Sequence, residues 1–436
     1  MRRSISTFLL SLSILAGVAG PALAEPPAII AITGATIHTQ GPQGTIQNGT
    51  LVIENGRVRA VGGPATTVPA GARRIDAHGK VVTPGLFDSL STLGVVEVGA
   101  VDGTRDGRVE DDRVTAAFNV ADGLNPRSVL IPVNRIEGLT RAVVVPVPGK
   151  SLIAGQGVVI SLIGTLGGPG DFLVRSPIAM FAVFGERGAG LAGGSRAAAL
   201  LRLKEAFQDA LDYATNRKAF DAGDRRSYAL SRLDLEALLP VVKGTLPLVV
   251  AVDRASDIET ILRFAKEWKL KLILSGVTEG WKVADQIAAA KVPVLVNPME
   301  NRPDSFESLG ATLENSARLH KAGVTFAFMT GDAHNARNLK QAAGNAVANG
   351  LPWDAALEAM TTAPARIWGI ADHYGTLETG KDADVVIWSG DPLELATFAD
   401  AVFIRGKEMP MKSRQTELRD RYKDLGGAVP LAYRKP

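Results

Sequence analysis

The chain has 436 residues, no cysteine, and 48 Lys plus Arg against 45 Asp plus Glu, for a formal net charge of +3. Without cysteine there can be no disulfide, thiolate metal ligand or cysteine nucleophile, and so small a net charge gives no reason to expect nucleic acid or an anionic membrane as the main partner. Apolar residues at 46% over so long a chain suffice for a large core.

At the start, Arg2 and Arg3, an apolar run over 8–18 and the small-residue ending Ala22-Leu23-Ala24 follow the order of a secretory signal. Cleavage is expected after Ala24, which makes 1–24 a signal peptide and the protein exported, periplasmic or extracellular. An uncleaved anchor is the alternative. The run is shorter than the roughly 20 residues of a spanning helix, and no later segment is apolar for long enough, so no stable membrane span is expected after cleavage. Removing two arginines leaves 3 − 2 = +1.

Short alternating runs follow at 29–39, 49–54, 57–62 and 74–83, which predict a small antiparallel sheet. Asn55-Gly56 supplies the positive φ angles of a tight hairpin between two of them. A second strand group, 384–388 and 402–405, lies near the C-terminus, and the two groups could share one sandwich. Between them are eight β-like runs: 81–88, 141–147, 157–162, 179–184, 246–252, 271–275, 293–297 and 324–330. Several are uniformly apolar, as parallel strands buried on both faces are, and helical patterns intervene in the second half. One of these, with Leu200, Leu203, Phe207 and Leu211 on a single stripe, has Ser195 placed to cap it. The fold class is therefore α/β, a (β/α)8 TIM-like barrel with a small β-sandwich domain, a doubly wound open sheet being the alternative. The boundaries expected are a composite sandwich from 25–82 plus 376–412, a barrel over 83–375 and a tail over 413–436.

The segment Pro84-Gly85-Leu86-Phe87-Asp88-Ser89-Leu90-Ser91-Thr92-Leu93-Gly94 resembles the opening of the first barrel strand in the amidohydrolase superfamily, imidazolonepropionase-like branch. Three further stretches resemble it in the same order: the hairpin 49–62, the segment from Thr330-Gly331-Asp332 to Arg366, and 375–386 with Gly380-Lys381-Asp382-Ala383-Asp384. The resemblance implies a barrel acting on non-peptide carbon–nitrogen bonds through zinc or another divalent metal held at the strand ends. It places Leu90 and Thr92 where the family has its His-x-His pair, Ala251 and Ser275 near the histidines of two later strands, and Asp332 at the last ligand position.

Leucine and alanine offer no donor, and an unassisted threonine does not replace imidazole. The five histidines, His38, His78, His320, His334 and His373, are never closer than 14 positions apart, so none forms a local ligand pair. Hence no cofactor is predicted, and the expectation is a form with its metal site lost, serving as a ligand-binding protein or subunit. The alternative is an active hydrolase of cyclic or linear amides using Asp332 and unrecognised ligands, and the candidate catalytic residues are Asp332 and His334. Each of these two also has a structural reading, as a cap or loop hydrogen bond at the next helix start. Leu90, Thr92, Asp253, Arg254, Ser275 and Glu279 are the candidate pocket residues. A small-molecule ligand and homo- or hetero-oligomeric assembly are the partners left open.

Other motifs are weaker. Gly188-Ala189-Gly190-Leu191-Ala192-Gly193 matches G-x-G-x-x-G without a complete βαβ unit, and a barrel-mouth loop is the simpler reading. Asp102-Gly103-Thr104-Arg105-Asp106-Gly107 begins like a calcium loop, but Arg113 stands where a bidentate glutamate is needed.

Overall fold

The computed structural model describes residues 29–168 and 170–423. The expected signal peptide, 1–24, lies outside the described residues. Two eight-stranded sheets divide the strands. The first takes β1 (Ile30–His38), β2 (Thr45–Glu54), β3 (Arg57–Gly62), β4 (Arg73–Asp76) and β5 (Val81–Pro84) from the N-terminal side. The second is formed by β6 (Leu86–Ser91), β7 (Leu139–Val144), β8 (Ile153–Ser161), β9 (Leu173–Val183), β10 (Leu248–Val252), β11 (Leu272–Gly276), β12 (Val294–Val296) and β13 (Phe326–Phe328). Then β14 (Val385–Trp388), β15 (Ala399–Ile404) and β16 (Lys407–Glu408) return to the first sheet.

The two strand groups read from the sequence thus join one sheet, through antiparallel pairing of β14 with β5. Asn55 and Gly56 have φ 53° and 77° and turn β2 into β3. Both positive angles suit a hairpin that follows the right-handed twist of its strands. The run expected over 81–88 is divided at Gly85: β5 belongs to the first sheet and β6 to the barrel, and a side chain on Gly85 would collide with Thr140. The sheets are further joined by a buried ion pair, Arg141 to Asp384 at 3.0 Å, with the Arg141 guanidinium 4.3 Å above the Tyr374 ring.

The barrel sheet runs from β6 to β13 in chain order. Alternate residues of its strands divide between two cores. Leu248, Val250, Leu272, Leu274, Val294 and Val296 belong to the cluster that includes the helices, while Val249, Ile273 and Leu295 join Phe87, Val143, Phe181 and Ala327 in another. Burial on both faces is why these strands read as unbroken apolar runs. One strand departs from the expected parallel order: β8 pairs antiparallel with both β7 and β9. Only residues 145–152 separate β7 from β8, whereas a parallel crossover needs about a dozen or more.

The last strand does not pair by a backbone ladder with the first, and the seam is closed locally. Gly331 N–H donates to the Leu90 carbonyl at 2.9 Å, the Ser91 hydroxyl donates to the Asp332 carbonyl at 2.8 Å, and the Thr330 N–H and hydroxyl both donate to the Asp88 carboxylate. Two local expectations change. The glycine run lies in and just beyond a helix, Gly185–Leu191, rather than in a loop. Ser195 does occupy the N-cap position of the helix Arg196–Asp221, but its side chain makes no capping bond. Among the described residues no helix is long and apolar enough to cross a membrane.

Candidate active site at the strand ends

In a barrel of this kind the C-terminal strand ends form the usual mouth. All eight residues singled out from the sequence fall at or just beyond the ends of β6, β10, β11 and β13. They form two groups. Asp253, Arg254, Ser275 and Glu279 belong to β10 and β11, where Ala251 and Ser275 are register partners. Leu90, Thr92, Asp332 and His334 belong to the seam between β6 and β13.

On the first side, the Asp253 carboxylate accepts hydrogen bonds from the Thr278 N–H at 3.1 Å and the Thr278 hydroxyl at 2.6 Å. Burial raises its pKa, with the charges of Asp304 and Glu279 adding to the effect against the Thr278 bonds. Burial also works to raise Glu279. The Lys282 ammonium at 2.6 Å and the N–H groups of Ala255 and Gly310 outweigh it and hold this carboxyl below the usual range. Arg254 pairs with Asp257 at 2.6 Å. Arg196 bridges the other Asp257 oxygen, at 2.7 Å, and Glu307, at 3.3 Å. Burial raises Glu307, to which Asp253 and Glu186 add repulsion.

At the seam, Leu90 and Met329 pack against the Phe87, Val143 and Ile273 cluster. Asp332 accepts the N–H groups of His334 at 2.8 Å and Asn335 at 3.0 Å, and its second oxygen accepts the Asn335 side-chain amide at 3.2 Å. These are loop hydrogen bonds that hold the turn leading into the 3-10 helix Asn335–Asn338, whose N-cap position is His334. Gln415, from the C-terminal helix Arg414–Tyr422, donates to His334 Nε2 at 2.8 Å, so His334 Nδ1 carries the proton toward Asn335 Oδ1 at 3.3 Å. A turn and a helix contact therefore engage both residues of the hydrolase reading: the His334 backbone N–H meets the Asp332 carboxylate, while its ring bonds to Gln415 and Asn335.

A divalent metal implied by the resemblance does not fit this donor set. Leu90 and Ala251 supply no ligand atom, and the Asp332 oxygens already serve three N–H donors. Among the described residues no group of three or more His, Asp or Glu is arranged to hold a metal ion. What the mouth does offer is an apolar floor, hydrogen-bonding groups on the β10–β11 side, and a rim loop on which Phe306 is 83% exposed.

Sequence reasoning missed two features. Asp88 was read only as part of a motif, yet it is fully buried and clamps Thr330 across the seam. The Glu186, Arg196, Asp257 and Glu307 network joins residues more than 100 positions apart, and no local pattern marks it.

The description of the matching family model is amidohydrolase family, and it covers residues 212–410. A curated relative, Amidohydrolase tasK of Hapsidospora irregularis, is 25% identical over 387 residues; the match covers 82% of this chain but only 39% of that protein. The crystal structure of an amidohydrolase from Thermotoga maritima superposes with a TM-score of 0.78 at 28% identity, covering 87% of this chain and 99% of that one. Molinate hydrolase, at 17% identity and a TM-score of 0.55 over 94% of this chain and 99% of its own, is similar in fold alone.

Proposed function

We propose that this chain, whose residues 212–410 match the amidohydrolase family model, is an exported, ligand-binding form of that fold which no longer hydrolyses carbon–nitrogen bonds with a metal. The observation that carries this reading is the pair Leu90 and Ala251, side chains without a donor atom at two strand ends where the superfamily resemblance calls for imidazole. A metal site demands its ligands more strictly than a fold demands its chemistry. Asp332, the one ligand type retained, has its oxygens engaged by the turn that follows it. The mouth then binds a small molecule between its apolar floor and the polar groups of Asp253, Thr278 and Ser275, alone or as a subunit of a larger assembly.

The test is metal analysis of protein purified without chelator, together with an amide-hydrolysis screen in the presence and absence of added zinc. The expected result is far less than one metal per chain and no zinc-dependent turnover. One tightly held equivalent of zinc, iron or manganese, or turnover that disappears in Asp332→Ala, overturns the proposal. Export is checked separately: the N-terminus of protein recovered from outside the cytoplasm should be Glu25.

A further inference from the structure

The opposite, N-terminal face of the barrel carries a cavity of about 710 Å³. It lies where β12 and β13 begin, walled by the turn that precedes β13 and by the helices Trp353–Glu358 and Thr362–Ile367. The strand-end mouth and its residues play no part in it. Its volume is within the range of about 300–1,000 Å³ typical of small-molecule sites.

The lining has two chemistries. Val324, Phe326, Ala359 and Ile367 give it apolar wall, and three exposed basic residues, Lys291, His320 and Arg366, line the same space. The one acid in the lining, Glu358, is taken up by an ion pair with Arg366. Lys291 makes no side-chain hydrogen bond or ion pair among the described residues. Its backbone is fixed, with φ 54° at the end of the helix Ala284–Ala290 and its N–H on the Ala288 carbonyl at 2.9 Å. The His320 ring meets Phe326 edge to face, with centroids 6.4 Å apart, and has no hydrogen-bond partner among the described residues. An exposed, unpaired ammonium at the rim of an apolar wall complements a ligand that is negative at one end and apolar at the other.

We propose that this cavity is a second binding site, for a small amphipathic monoanion whose carboxylate or sulfonate head meets Lys291 and whose apolar body lies against Val324, Phe326 and Ile367. The site is independent of chemistry at the mouth. It also differs from what the N-terminal face of such barrels usually does, which is to contribute stability.

The test pairs two fluorescent probes on the protein of residues 25–436: anilinonaphthalenesulfonate, and its uncharged counterpart N-phenyl-1-naphthylamine. Wild type is expected to bind one sulfonate per chain in this site. Lys291→Glu should weaken that binding by about fivefold or more while changing the uncharged probe less than about twofold, because only the head-group attraction is reversed. Thr325→Trp, at an exposed position in the cavity wall, should abolish binding of both. Thermal melting of each variant verifies that it folds. Sulfonate binding unchanged in both variants overturns the proposal, and so does an equal loss of both probes in Lys291→Glu. Concentration-dependent self-association that is lost in Thr325→Trp, with no probe bound by wild type, also overturns it, since a second copy would then be the occupant.

Discussion

The Asp88 carboxylate closes the barrel by accepting from Leu90 N–H at 3.2 Å, Thr330 N–H at 3.1 Å and the Thr330 hydroxyl. Burial lifts its pKa from 3.8 to about 7, and the nearby Asp332 charge adds to the rise against those three bonds. Because the folded-state value lies above the unfolded one, the native chain holds this proton longer. Its contribution to stability is present in full below about pH 4 and lost as the pH rises through about 7. Melting temperature should therefore fall between pH 5 and 8 by an amount that Asp88→Asn largely removes. Asparagine can still accept the two N–H groups through Oδ1, and its amide can donate to the Thr330 hydroxyl. Parallel pH curves for wild type and Asp88→Asn would remove Asp88 as the source. Asp88→Ala leaves buried donors without an acceptor and should cost about 2–4 kcal/mol at pH 6, measured by denaturant unfolding. Asp332→Ala, which frees donors nearer the solvent, should cost less.

At the scale of elements, β8 is the part of the barrel that depends most on particular glycines. Gly155 has φ 123°, and a Cβ there would meet the Phe118 carbonyl and side chain; one on Gly157 would meet Phe181 and the Val144 carbonyl. The backbone of Gln156 between them donates to the Phe118 carbonyl at 2.7 Å, which fastens the long loop after β6 onto the barrel. Gly155→Ala has both a disfavoured backbone and a collision to relieve, so it should destabilise by about 3 kcal/mol or more. Hydrogen exchange should show residues 115–119 opening with it; protection there equal to wild type would mean the loop is held by other contacts. The same strand marks what sequence can and cannot reveal. Its apolar run was visible, as were the other seven, because burial on two faces leaves a composition signature. Its direction was not, since a run reads alike both ways, and only the short 145–152 connection carried that information. Leu90, Thr92, Ala251 and Ser275 could be placed because motif spacing follows the strands. The raised Asp88 carboxyl and the Arg196 network could not, because burial and partners separated by 100 positions are properties of the folded chain.

For the whole molecule, the first sheet and the barrel are locked through Arg141 and Asp384, while the strand-end mouth is left with the donor shortage described above. By the superfamily resemblance β6 would carry two imidazoles, β10 one and β11 one, and Leu90, Thr92, Ala251 and Ser275 stand at those positions. Zinc needs about four donors near 2.0–2.2 Å in tetrahedral arrangement. The double variant Leu90→His plus Thr92→His supplies two, with Asp332 still engaged by the turn N–H groups, so it should not bind zinc stoichiometrically. It should instead lose stability, because a polar ring at position 90 replaces a leucine packed on the interior cluster, at a cost of about 1–3 kcal/mol. Adding Ala251→His and Ser275→His completes a donor set on three strand ends. The quadruple variant should then gain a zinc-dependent rise in melting temperature, as any ligand selective for the folded state produces. Equilibrium dialysis with metal analysis, run beside thermal melts of both variants, separates the cases. Stoichiometric zinc in the double variant would mean that Ala251 and Ser275 are not the missing positions, and that the strand ends of β10 and β11 serve the ligand in another way.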